Sequence, residues 1–162
     1  MKSVFNLFRA TADEPRIREL KGLTLFKQLT PRELHELDEL LHERSYLKDE
    51  VIFDEGDVGL GLYIVVSGRI RVVFSRADLQ QLAPECGPGD CLGELALFEE
   101  AHRTARAVAL EPTNVVALFR AEFFSLLERD RRIGVKILLE LSRLVVARSR
   151  KLLSGRLHLP TV

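Results

Sequence analysis

Gly87-Pro88-Gly89-Asp90-Cys91-Leu92-Gly93-Glu94-Leu95-Ala96-Leu97-Phe98-Glu99-Glu100-Ala101-His102-Arg103-Thr104-Ala105-Arg106 carries more chemistry than any other stretch of this 162-residue chain. Three glycines precede one acid set in an apolar run, and an arginine follows that acid nine residues on. Gly93 has no Cβ, so backbone there can approach a ligand closely. Backbone N–H groups after such a glycine, in a turn or short helix start, form an anion-binding concavity. Glu94 can accept a hydrogen bond from a sugar hydroxyl. Arg103 brings a planar fork of donors that matches phosphate oxygens, and Thr104 adds a hydroxyl donor. These groups together can grip a phosphate and a sugar.

Outward from this stretch, the chain changes period twice. Thr30-Pro31-Arg32-Glu33 is a helix start, with Thr30 as cap, Pro31 in the first turn and Glu33 closing a capping box. Leu34, Leu37, Leu40 and Leu41 extend the helical spacing to about Glu43. Pro15 opens an earlier helical stretch through Leu20. Tyr46 to Phe53, Leu60 to Val66, Arg69 to Phe74, Leu79 to Ala83, Thr104 to Leu110 and Asn114 to Arg120 read as short strands separated by turn residues. Residues 120–127 and 131 to about 153 return to helix, with Gly155 as a terminator. The fold class is therefore α+β: an antiparallel β-barrel (jelly roll, or double-stranded β-helix) flanked by N-terminal helices and a C-terminal helix pair.

The central motif, Cys91-Leu92-Gly93-Glu94-Leu95-Ala96-Leu97 followed by Arg103-Thr104-Ala105, resembles the phosphate-binding cassette of the cyclic nucleotide-binding domain family. Phe53-Asp54-Glu55-Gly56-Asp57 resembles that family's first glycine turn. Leu62-Tyr63-Ile64-Val65-Val66-Ser67-Gly68-Arg69-Ile70 is similar to its central hairpin, and Leu23 to Thr30 to its helical entry. The likeness covers roughly residues 23 to 153 and extends to the sensory domains of catabolite activator-type regulators and of protein kinase A regulatory subunits. It implies residues 1–20 as an N-terminal helical extension, 21–155 as the cyclic nucleotide-binding domain and 156–162 as a tail, with no helix-turn-helix domain.

The same resemblance implies roles. Glu94 would take the ribose 2′-hydroxyl, Arg103 the exocyclic phosphate oxygens and Thr104 a further phosphate contact. Gly93, Leu95, Ala96 and Ala105 would act through backbone groups. Val73 and Leu82 would line the pocket, or equally serve as barrel core. Leu152, beside Leu153, would cap the base by apolar contact, or belong to core or a dimer seam. Arg103 has a plainer alternative as a surface arginine paired with Glu99 or Glu100. Cys91 stands where the family usually has an aromatic, with Phe98 as a compensating neighbour. Arg106 should point away from Arg103, because successive strand residues face opposite sides.

Composition narrows the function classes. Lys plus Arg equals Asp plus Glu at 24 each, so no global field draws this chain to DNA or an anionic membrane. Arg143, Arg148, Arg150, Lys151 and Arg156 read as the solvated face of a helix. There is no 18-residue apolar run, so no membrane span is expected. Cys86 and Cys91 fit reduced thiols in a cytoplasmic setting, and the composition fits a bacterial source. The four histidines make no metal-ligand pairing with cysteine, and no catalytic, metal or cofactor site is expected. Leu138, Leu141, Val145, Arg148 and Leu152 follow a spacing that suits either a two-helix seam or packing on the barrel, so a homodimer through helix 131–153 is one expectation. The reading is a non-enzymatic receptor for cAMP, with cGMP second, signalling to an effector protein by movement of its C-terminal helix. A ligand-free interaction module with a vestigial pocket is the alternative.

Overall fold

The computed structural model describes residues 14–80 and 84–156, and for Leu152 and residues 154–156 the backbone only. The described residues begin with two helices, α1 (Pro15–Gly22) and α2 (Pro31–Asp38), with a 3-10 turn at Thr24–Phe26 between them. Among the described residues eight short strands follow: β1 (His42–Tyr46), β2 (Val51–Phe53), β3 (Gly61–Ser67), β4 (Ile70–Val73), β5 (Glu85–Cys86), β6 (Cys91–Leu92), β7 (Arg106–Ala109) and β8 (Thr113–Phe119). A one-turn helix, α3 (Leu95–Phe98), interrupts them, and α4 (Arg120–Arg129) and α5 (Arg131–Arg156) complete the described residues.

The strands pair into two antiparallel four-stranded sheets, ordered β1-β8-β3-β6 and β2-β7-β4-β5. The pairing therefore gives two facing antiparallel sheets with helices, the two-sheet form of the expected jelly roll; among the described residues the two sheets do not pair with each other into a barrel. Alternation along β3 divides the core. Leu62 and Ile64 face the helices, in a cluster with Leu20, Phe26, Phe123 and Ile137. Val65 faces the other sheet, in a cluster with Ile70, Ala107, Ala109 and Val115. A strand buried on both faces has no polar face to show, hence the unbroken apolar run through β3.

Several boundaries differ from the sequence reading. α2 ends at Asp38 rather than about Glu43, because β1 begins at His42 and needs extended backbone to pair with β8. Tyr46 to Phe53 is the end of one strand and the whole of another, separated by a turn in which Asp49 has φ +69°. Among the described residues near Leu79 to Ala83, β-structure is found at Glu85–Cys86; residues 81–83, with Leu82, lie outside the described residues. α5 continues past Gly155 to Arg156. The capping box is present in full: Thr30 Oγ1 accepts from Glu33 N at 3.3 Å and Glu33 Oε2 accepts from Thr30 N at 2.7 Å.

Candidate functional site

The cassette is built on a chain reversal. β6 ends at Leu92, Gly93 turns the backbone with φ +75°, and α3 starts one residue after Glu94. A Cβ at position 93 would run into Arg103 Nη1, so glycine is required for space as well as conformation. The turn is tied off by the Ala96 amide donating to Gly93 O at 3.2 Å and the Leu97 amide to Glu94 O at 3.0 Å.

Arg103 lies in the connection between α3 and β7, next to His102, and is 7% exposed. Its Nη1 donates to Gly93 O at 3.1 Å and its Nη2 to Gly61 O at 2.8 Å. The guanidinium lies over Phe53 at 4.3 Å from the ring centre and near Tyr63 at 5.6 Å. Nε is buried and has no hydrogen-bond partner. Burial pulls its pKa below the ordinary guanidinium value, with Tyr63, Asp57 and Glu94 working in the other direction. The neighbouring backbone is fixed too: Arg103 N donates to Asp57 O at 2.7 Å, and Val58 bridges His102. The alternative pairing with Glu99 or Glu100 does not occur.

Arg103, Thr104, Ala105, Gly93, Glu94, Leu95 and Ala96 all line one cavity of about 940 Å³. Its other walls are Phe53, Val72, Phe74, Cys86 and Leu92 from the sheets, and Leu144, Ala147, Arg148 and Lys151 from α5. The structure thus brings together seven residues that the sequence singled out. Val73 is not among them: in β4, Ile70 and Val72 face inward, while Val73 is 38% exposed on the other side. Its neighbour Val72 lines the cavity instead, because a one-residue offset on a strand reverses the face. Leu152 lies on α5, with its side chain outside what is described; the α5 residues facing the cavity are Leu144, Ala147, Arg148 and Lys151. Arg106 turns away from Arg103 to pair with Asp54 at 3.1 Å.

Arg148 is the largest departure from the sequence reading. It is no solvated helix-face charge: its Nη1 pairs with Glu94 Oε1 at 2.9 Å, and its Nη2 donates to Cys91 O. Burial opposes its charge, yet the Glu94 carboxylate and the hydrogen bond to it leave the pKa raised overall. The signal was present in the sequence as one cation inside the Leu138, Leu141, Val145, Leu152 stripe. Phe53, Tyr63 and Gly61 were also missed as supports of Arg103; nothing local marks them, because they meet it through sheet pairing. Cys86 and Cys91 are free thiols, and burial pushes them up to about 11 and about 12.

Comparison with known proteins gives a consistent picture. The model for "Cyclic nucleotide-binding domain" matches residues 43–130. The "Cyclic AMP receptor protein" of Thermus thermophilus is 37% identical over 111 residues, which are 68% of this chain and 51% of that protein. The structure of Thermus thermophilus Catabolite Activator Protein superposes with TM-score 0.66 at 32% identity, covering 79% of this chain and 59% of that one. A cAMP-bound PfPKA-R chain superposes with TM-score 0.60 at 27% identity, covering 77% and 45%. The chain spans about half the length of these relatives.

Proposed function

Because the chain belongs to the cyclic nucleotide-binding domain family, we propose that it is a cyclic nucleotide receptor domain, with cAMP as its ligand and cGMP as the second candidate. The observation that carries this is Arg103 and Glu94 on the wall of one cavity, beside the Gly93 turn. A buried guanidinium with an unpartnered Nε suits a cyclic phosphate monoanion, and a carboxylate one turn away suits the ribose 2′-hydroxyl. Thr104 at the cavity edge supplies a hydroxyl to the same anion. The relatives named for cyclic AMP support the choice of nucleotide.

The output of binding is assigned to α5, which forms one wall of the cavity and so responds to what fills it. Its displacement would change the surface offered to an effector protein, by a population shift set by differential affinity. A homodimer through the same helix would use its outer side. Leu139, Val146 and Leu153 are exposed at seven-residue spacing there, while Leu141, expected in the seam, is consumed by the domain's own core. Sedimentation of the protein with and without cAMP tests this: a monomer at high micromolar concentration in both states rules the dimer out. Among the described residues no helix is long and apolar enough to cross a membrane.

A second reading has one observation in its favour. The Arg148–Glu94 contact fills the sugar end of the site with the chain's own side chain, as a vestigial pocket would. Isothermal titration of cAMP and cGMP into ligand-stripped protein, with Arg103→Ala beside it, separates the two. Binding at micromolar Kd or tighter, about −8 kcal/mol, that Arg103→Ala abolishes is expected. No heat and no thermal stabilisation with either nucleotide would establish the vestigial reading.

A further inference from the structure

The two ends of the site are in opposite conditions. At the phosphate end, the hydrogen bonds of Arg103 go to the carbonyls of Gly93 and Gly61, its Nε has none, and among the described residues no carboxylate forms a salt bridge with it. At the sugar end, Glu94 is already held by Arg148. A segment that had permanently filled the pocket would be expected to neutralise both. Here only the group that would receive a neutral hydroxyl is taken.

The anchoring of α5 is equally divided. Its first half is fastened to the N-terminal helices: Ile133, Ile137 and Leu141 are fully buried, Lys136 pairs with Glu33 at 2.8 Å, and buried Glu140 pairs with Lys27 at 3.0 Å. Beyond Leu141 the helix rests on the cassette side with Leu144 half-buried and Ala147 and Lys151 exposed. In that half, Arg148 clamps the Glu94 side chain and the Cys91 carbonyl together, so it ties α5 to the turn on which Gly93 sits. With side chains 36% and 18% exposed, the pair sits at the rim of the cavity and can exchange partners.

We propose that Arg148 is an internal competitor of the ligand: it holds Glu94 Oε1, one of the two carboxylate oxygens that can accept the ribose hydroxyl, the bound ribose displaces it from that oxygen, and its release frees the distal half of α5. The proposal rests on the assignment of Glu94 to the ribose. Arg148 thereby sets both the affinity of the site and its coupling to the helix. A site available only part of the time binds more weakly by that fraction, so removing the competitor tightens binding.

The test uses the full chain with Arg148→Gln and, to retain the apolar stem, Arg148→Met, each checked for an unchanged thermal transition. Titration with cAMP is expected to give binding about two- to fivefold tighter than wild type, the range for a partly exposed ion pair. Hydrogen exchange without nucleotide should show amides 144–151 exchanging faster in Arg148→Gln and in Glu94→Gln, with no further gain in the double variant, while amides 133–141 keep their protection. Binding in wild type that is equal or weaker in both Arg148 variants overturns the competition and leaves the receptor assignment standing. Unaltered exchange over 144–151 in all variants overturns the coupling to α5. Binding in Arg148→Gln but not in wild type supports the proposal at its strongest. No binding of cAMP or cGMP by either protein overturns the receptor assignment and the competition together.

Discussion

Gly93 is the most constrained residue of the site, because its φ of +75° and the guanidinium packed against it act on one atom position. Gly93→Ala introduces strain of about 1–3 kcal/mol and displaces Arg103. The expected results are a lower thermal midpoint and loss of nucleotide-induced stabilisation, both read in one melting series. Arg103 is constrained in another sense. Its two carbonyl acceptors lie 3.1 and 2.8 Å away on different segments, Gly93 and Gly61, and only a planar fork spans them while lying over Phe53. Arg103→Lys should therefore weaken cAMP binding about tenfold or more, the equivalent of one lost charged hydrogen bond of about 1.5–3 kcal/mol. A Kd within twofold of wild type would refute that role. The cysteines are protected by desolvation: with thiols pushed up to about 11 and about 12, disulfide-reagent labelling at pH 8 should be slow in the folded protein and fast in urea.

At the scale of elements, α2 and α5 are joined through one carboxylate. Glu33 closes the capping box with Thr30 and also receives Lys136 at 2.8 Å, so a local helix-start signal doubles as a tertiary anchor. Thr30→Ala removes the capping hydroxyl together with the γ-methyl, and should cost about 1 kcal/mol in urea unfolding. A loss above about 3 kcal/mol would mean that the box holds α5 as well. β4 illustrates the reverse case, in which a correct strand was assigned the wrong face. Its period was readable, but which phase of that period points into the cavity is set by pairing with β7, where Val72 sits opposite the buried Ala107.

Over the whole molecule, the helical layer is pinned by carboxylates whose ionisation favours folding. Burial alone would raise the Glu33 pKa, but Lys136 and the Thr30 amide and hydroxyl hold it below its ordinary 4.5. Lys27, then Arg143, hold Glu140 below 4.5 against burial. A group depressed in the folded state contributes stability above its unfolded pKa and loses it as pH falls through the folded value. Urea midpoints should be flat from neutral pH to about 4.5 and fall below it, and Glu140→Gln should lower the neutral value while shallowing the acid limb. An unchanged acid limb in that variant would show that the fold is not pinned there. Ligand acts in the opposite direction: saturating cAMP at about 100 times Kd should stabilise the molecule by about 2.7 kcal/mol.

The sequence by itself determined the family, the α+β class, the cassette and its order of groups, because these are local: a glycine that must turn, a cap three residues from its partner, an acid and an arginine nine residues apart. It also determined that Arg106 would face away from Arg103, since alternation along a strand is a local rule. What only the tertiary structure decided were meetings between distant segments. Fifty-four residues separate Glu94 from Arg148, and forty-two separate Arg103 from Gly61. Such pairs leave no periodic trace, because side-chain reach and sheet register, rather than chain spacing, bring them into contact. The same reason applies to the sorting of the strands into two facing sheets: strand content is written along the chain, while the hydrogen-bonding partners of each strand are chosen in space.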